Sequence, residues 1–170
     1  MKKEYLSRAF LCFVELFAGL WITLFISLIG IFFARFWVPF GSIEEAIFCF
    51  SVMTVVMCIS LYVCAYRMGD KDRKFDIKII LIPLVMAFII QLIYAAIFSF
   101  SIYTSGPAYY LGKIIYMLRG GTEPTVPNQI IFVCMLAFDV IYTAVYLLGE
   151  YFGVKRRSKD REQLLSDAGK

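Results

Sequence analysis

The sequence predicts an all-α integral membrane protein: a four-transmembrane-helix bundle with N and C termini cytoplasmic and a short amphipathic helix in the outer loop between the third and fourth spans. Three observations predict it. Of 170 residues, 61% are hydrophobic and only 18% are charged, and the mean hydropathy is +0.78, well outside the soluble globular range. Four apolar stretches each supply the roughly 20 helical residues that a hydrocarbon core of about 30 Å requires. The 17 basic residues gather in three short segments beside those stretches, leaving only Arg35, Lys113 and Arg119 elsewhere. This pattern excludes a disordered chain, a secreted disulfide scaffold and a nucleic-acid-binding module.

The first span is expected over residues 9–38. It follows the basic start Met1-Lys2-Lys3 but is too long for the apolar part of a signal peptide and lacks a small-residue cleavage site, so it reads as a retained anchor. Pro39 and Gly41 close it, and the short turn to Ile43 makes an antiparallel hairpin with the second span, 43–66. The third span covers 77–103, with Pro83 near its inner end, and the fourth covers 128–152. Lys2, Lys3 and Arg8 precede the first span; Arg67, Lys71, Arg73, Lys74 and Lys78 lie between the second and third; Lys155, Arg156, Arg157, Lys159, Arg161 and Lys170 follow the fourth. Basic residues hold their loops in the cytoplasm, which places both termini there. Phe36, Trp37 and Tyr103 then mark the outer interface, and Tyr5, Tyr66 and Tyr151 the inner one.

The outer loop from Thr104 to Pro127 carries its own helical signal over 107–118. Ser105 suits a cap, Pro107 an early helical position, and Gly120-Gly121 a stop, while Leu111, Ile114, Ile115 and Leu118 form an apolar stripe turned toward lipid or the helices. Such a helix lies in the outer interface, where it roofs the spans or serves as a lid or partner-docking surface. The charged tail, 154–170, continues the fourth span for a turn or two before fraying. Its segment Asp160-Arg161-Glu162-Gln163-Leu164-Leu165 resembles an acidic dileucine sorting signal of eukaryotic endosomal membrane proteins; the end of a charged helix is the preferred account.

Charge inside hydrocarbon costs several kcal/mol, so ionisable groups within the spans are the informative positions. Asp139 lies about 15 Å deep and Glu15 about 9 Å from the inner end of its span. Gln91 is the expected hydrogen-bond partner of Asp139. Asp139, Tyr142, Thr143, Tyr146 and Glu150 recur at three- and four-residue intervals on one helix face. Gly19, Thr23, Ser27, Gly30 and Ala34 continue a face begun by Glu15 and offer close backbone approach. These two faces are expected to meet, with Glu15 level with Tyr142 and Thr143. The set Asp139, Gln91, Glu15, Tyr142 and Tyr146 is then either interhelical glue or a proton or cation relay.

Other chemistry is thinly represented. Histidine is absent, which removes imidazole ligands and Ser-His or Cys-His relays. Cys12, Cys49, Cys58, Cys64 and Cys134 contain no C-x-x-C pair and read as apolar filler, with a Cys49–Cys134 disulfide the one conceivable bridge. No phosphate-binding glycine loop or hydrolase motif is present, and neither a metal nor a cofactor is implied. The expected function is that of a non-enzymatic membrane subunit or accessory partner in the cell membrane, or alternatively in a eukaryotic endomembrane, acting within a homo-oligomer or larger membrane complex. Arg67, Arg73, Lys74, Lys155, Arg156 and Arg157 would anchor it to anionic inner-leaflet lipids. The alternative is a small oligomeric transporter or channel using the Asp139 and Glu15 carboxyls. An intramembrane enzyme ranks third, because only carboxylates, Tyr and Cys are there to do chemistry.

Overall fold

The computed structural model describes residues 2–34, 36–37, 39, 41–71, 75–98, 106–121 and 126–168, with the side chains of 2–5, 16, 20, 27, 31, 33, 34, 71 and 163–168 outside that description. All regular structure among these residues is α-helical: α1 (Lys2–Ala34), α2 (Ile43–Lys71), α3 (Ile77–Ile97), α4 (Pro107–Leu118) and α5 (Asn128–Ala168). Four of the helices are long and apolar enough to cross a membrane, over Leu6–Gly30, Ile43–Asp70, Ile77–Ile97 and Asn128–Glu162.

Local chemistry explains where these helices begin and end. At the start of α2, Glu45 N–H donates to Ser42 Oγ at 3.2 Å while Glu45 Oε2 accepts from Gly41 N–H at 2.6 Å, a variant of the reciprocal Ser-x-x-Glu cap. Gly41 has φ of 77°, which favours a residue without Cβ. Asp76 caps α3 by accepting from Lys78 N–H at 2.9 Å. Gly120, with φ of 82°, ends α4; its N–H reaches the Met117 carbonyl at 3.0 Å and Gly121 N–H reaches Tyr116 at 3.0 Å, the paired closure that satisfies the last carbonyls.

Several expected boundaries move. The first helix stops at Ala34 rather than Val38, with Phe36 and Trp37 in a turn and strongly exposed; Val38 precedes Pro39, where helix is disfavoured. α3 stops at Ile97 rather than Tyr103, ahead of a serine-rich, β-branched segment of weak helix formers. The position before α4 is Gly106, with φ of 51° and no side-chain cap, and Pro107 opens the helix; Ser105 lies outside the described residues, as does Tyr103. α5 runs unbroken to Ala168 instead of fraying, because residues 154–168 are good helix formers without Gly or Pro and Arg156 pairs with Asp160 one turn on, at 3.8 Å.

The parallel pair α2 and α5 makes the most extensive contact; α1 packs on α2 and α3, α3 touches α5 lightly, and α4 covers the end where α2 and α5 begin. The four long helices thus form a ring in the order α1, α2, α5, α3, with α1 and α5 on a diagonal. Met53, Met57, Leu61 and Ala65 line the buried face of α2. Toward the far end, glycines bring α2 and α5 into backbone contact: a Cβ at Gly149 would stand 2.6 Å from the Tyr62 carbonyl oxygen, one at Gly153 would strike the Tyr66 carbonyl, and one at Gly69 would strike that of Glu150. On α1 the small residues face α2, not α5. Gly19 lies against Met57, Gly30 against Phe48, and buried Thr23 donates to the Gly19 carbonyl at 2.6 Å. Helical spacing identifies a close-packing face without saying which neighbour fills it, and the short turn makes α2 that neighbour. Ser27 and Ala34 side chains lie outside the description.

The stripe expected on α4 is not its most buried face. Pro107, Ala108, Tyr110 and Gly112 are buried, Leu111, Ile114 and Ile115 are partly so, and Leu118 is 72% exposed. Gly112 packs against Ile130, Ile131 and Val126, so the small residue, rather than the large ones, sets the approach to α5. The Tyr110 phenol hydrogen-bonds with the Cys49 thiol on α2, and burial pushes its pKa well above the ordinary value, so it stays neutral there.

Candidate functional site

Polar side chains of α1 and α5 reach across the diagonal and meet near the end of the ring that holds the start of α1. Arg8, Cys12 and Glu15 fall at i, i+4 and i+7 on α1; Tyr146 and Glu150 are one turn apart on α5. Arg8 Nη2 donates to Glu150 Oε1, with Glu150 fully buried and the Arg8 side chain 12% exposed. One turn further in, the Tyr146 hydroxyl donates to Glu15 Oε2 at 3.4 Å and lies 3.4 Å from Cys12 Sγ. One guanidinium therefore sits among two carboxyls, a phenol and a thiol, in surroundings whose low dielectric strengthens every charge interaction. The arrangement ties the start of α1 to α5 and supplies carboxyl, phenol and thiol groups able to pass a proton.

Glu15 accordingly meets Tyr146, one turn from the expected level of Tyr142 and Thr143. The Arg8–Glu150 pair fixes that register, and depth counted from assumed span ends could not see it. Arg8 is the residue the sequence reading missed, because it was read only as an orientation signal; its spacing from Cys12 and Glu15 was the available clue.

Asp139 and Gln91 do not find each other. Asp139 lies about 16 Å along α5 from Asn128, is half-buried, and no described residue hydrogen-bonds to its carboxyl; its own backbone carbonyl accepts from Thr143 Oγ1 at 2.7 Å. Gln91 Oε1 and the Tyr142 hydroxyl are buried without a hydrogen-bond partner among the described residues. The reason is rotational. Met135, Phe138, Tyr142 and Tyr146 form the packed face of α5, whereas Phe132, Leu136 and Val140 are 39%, 43% and 71% exposed, and Asp139 stands on the border between the two. α3, which carries Gln91, is the lighter neighbour of α5.

The basic anchors divide as well. Arg156 Nη1 donates to the Tyr66 hydroxyl at 3.1 Å, and Arg157 Nη1 donates to the Asp70 carbonyl at 3.1 Å in the last turn of α2, where a cation complements the helix dipole. Lys155 lies 5.9 Å from the Tyr151 ring centroid. Arg67 is exposed, and Arg73 and Lys74 lie outside the described residues. All five cysteines are free, and among the described residues no three His, Cys, Asp or Glu side chains gather in a way that could hold a metal ion.

Compared with known proteins, the chain matches no family model, no curated protein and no solved structure.

Proposed function

We propose that this chain is a non-enzymatic, multi-pass membrane subunit that works by assembling with other membrane-embedded chains. The observation that carries the reading is Asp139: a carboxyl three turns into the apolar part of α5, only partly buried, with no hydrogen-bond partner among the described residues. A polar group left unpaired within the hydrocarbon costs several kcal/mol, and a neighbouring protomer or partner helix removes the cost. In this reading both termini are cytoplasmic, following the basic residues, and α4 lies in the outer interface over α2 and α5. Exposed Arg67 and Lys155, with Arg73 and Lys74, add attraction to anionic inner-leaflet lipids of about 1 kcal/mol each. The test is the mass of the protein extracted from its native membrane in mild detergent. The wild type is expected to emerge in an assembly heavier than one chain, and Asp139→Leu, which removes the polar contact while keeping an apolar helix, is expected to emerge as a single chain. A single chain in both cases overturns the reading.

A second reading, a small oligomeric transporter or channel with carboxyls lining a proton or cation path, is favoured by the Arg8, Glu15, Tyr146 and Glu150 cluster, which gathers more ionisable groups than helix packing needs.

A further inference from the structure

We propose that the Asp139 edge of α5 is the docking site for a transmembrane helix of a different protein, one carrying a Lys or Arg half way along its span. The inference rests on the assembly reading and names the partner's chemistry. Along this edge Leu136, Asp139, Val140 and Thr143 recur at the three- and four-residue spacing with which one helix receives another, and the two apolar members are exposed. The strip carries one acidic group beside apolar side chains, so charge, rather than shape alone, selects its occupant.

Charge also decides against a second copy. No Lys or Arg occurs in residues 9–34, 43–66, 79–97 or 128–154, and Arg8, the cation of the polar cluster, is already bonded to Glu150. Two copies packed through this edge would bring two Asp139 carboxyls together and supply no cation to either. A partner helix with a central basic residue supplies the missing charge in a low-dielectric setting, where opposite charges that satisfy each other's hydrogen bonds offset the cost of leaving water. Lipid offers nothing polar at that depth.

The experiment uses the full-length chain, reconstituted in phosphatidylcholine vesicles, and three synthetic polyleucine helices that differ only in a central Lys, Leu or Glu. Energy transfer between a donor on the chain's C-terminal tail and an acceptor on the peptide reports association. The Lys helix is expected to bind roughly tenfold more tightly than the Leu helix, the size of one interhelical polar contact, and the Glu helix no better than Leu. Asp139→Asn, checked for unchanged helicity, is expected to erase the preference for Lys. Equal binding of the three helices by the wild type, or a Lys preference that survives in Asp139→Asn, overturns the proposal. So does Asp139-dependent energy transfer between two copies of this chain, which would make the occupant a second copy. In both of these cases the drop in extracted mass for Asp139→Leu would still stand, so the partner's chemistry and the assembly reading fail separately.

Discussion

Removing one member of the Arg8–Glu150 pair leaves the other a charged side chain in a buried position. Arg8→Ala or Glu150→Ala should therefore destabilise the folded chain by about 3 to 5 kcal/mol. Arg8→Met combined with Glu150→Leu removes both charges while keeping volume, and should recover most of that loss. Thermal unfolding in detergent, read as a double-mutant cycle, checks both; a double variant no more stable than the singles would show that the pair is not the source of the effect. Much at this scale was legible in the sequence: Glu15, Asp139 and Glu150 stand out because ionisable groups are rare in apolar helices. Their partners were not legible. Counting residues gives depth along a helix but neither its rotation nor its neighbour, so Glu15 lies one turn from the expected level and Gln91 does not meet Asp139. Arg8 carries two signals at once, and the orientation signal masked the pairing.

At the scale of elements, the contact between α2 and α5 depends on glycine. Gly153→Ala would drive a methyl group into the Tyr66 carbonyl, a backbone atom that cannot swing away, and should destabilise by about 1 to 3 kcal/mol. Gly30→Ala provides the contrast within the same molecule. Among the described residues its Cβ would meet the edge of the Phe48 ring at 3.4 Å, so the substitution should be neutral or stabilise by up to about 1 kcal/mol through helix propensity. Unfolding midpoints of the two variants measured side by side decide this, and equal effects would contradict it. Apolar length and Gly-Pro punctuation made the long helices and the 107–118 helix readable, and Gly120 terminates α4 through its positive φ. The caps formed by Ser42 with Glu45 and by Asp76 were equally present in the sequence. Glycines 69, 149 and 153 were overlooked because each looks unremarkable until two helices are known to be neighbours.

For the whole molecule, hydropathy specifies four crossing-length helices but leaves their order around the ring open, since exposed and buried faces alike are largely apolar. The ring α1, α2, α5, α3 places the polar faces of α1 and α5 on a diagonal, where Arg8 and Tyr146 are long enough to bridge and the small residues of α1 are left to pack on α2. That arrangement leaves Asp139 on the border of the packed face of α5, beside the light α3 contact and without a hydrogen-bond partner among the described residues, which is why the account assigns it to another chain. The most direct test is photo-cross-linking in the native membrane with a benzophenone amino acid placed at Val140, beside Asp139, and separately at Phe25 on α1, the two positions being 71% and 69% exposed in the isolated chain. The account predicts a discrete protein adduct from Val140 that disappears when Asp139→Leu is added, with lipid adducts alone from Phe25. Lipid adducts alone from both positions would contradict it.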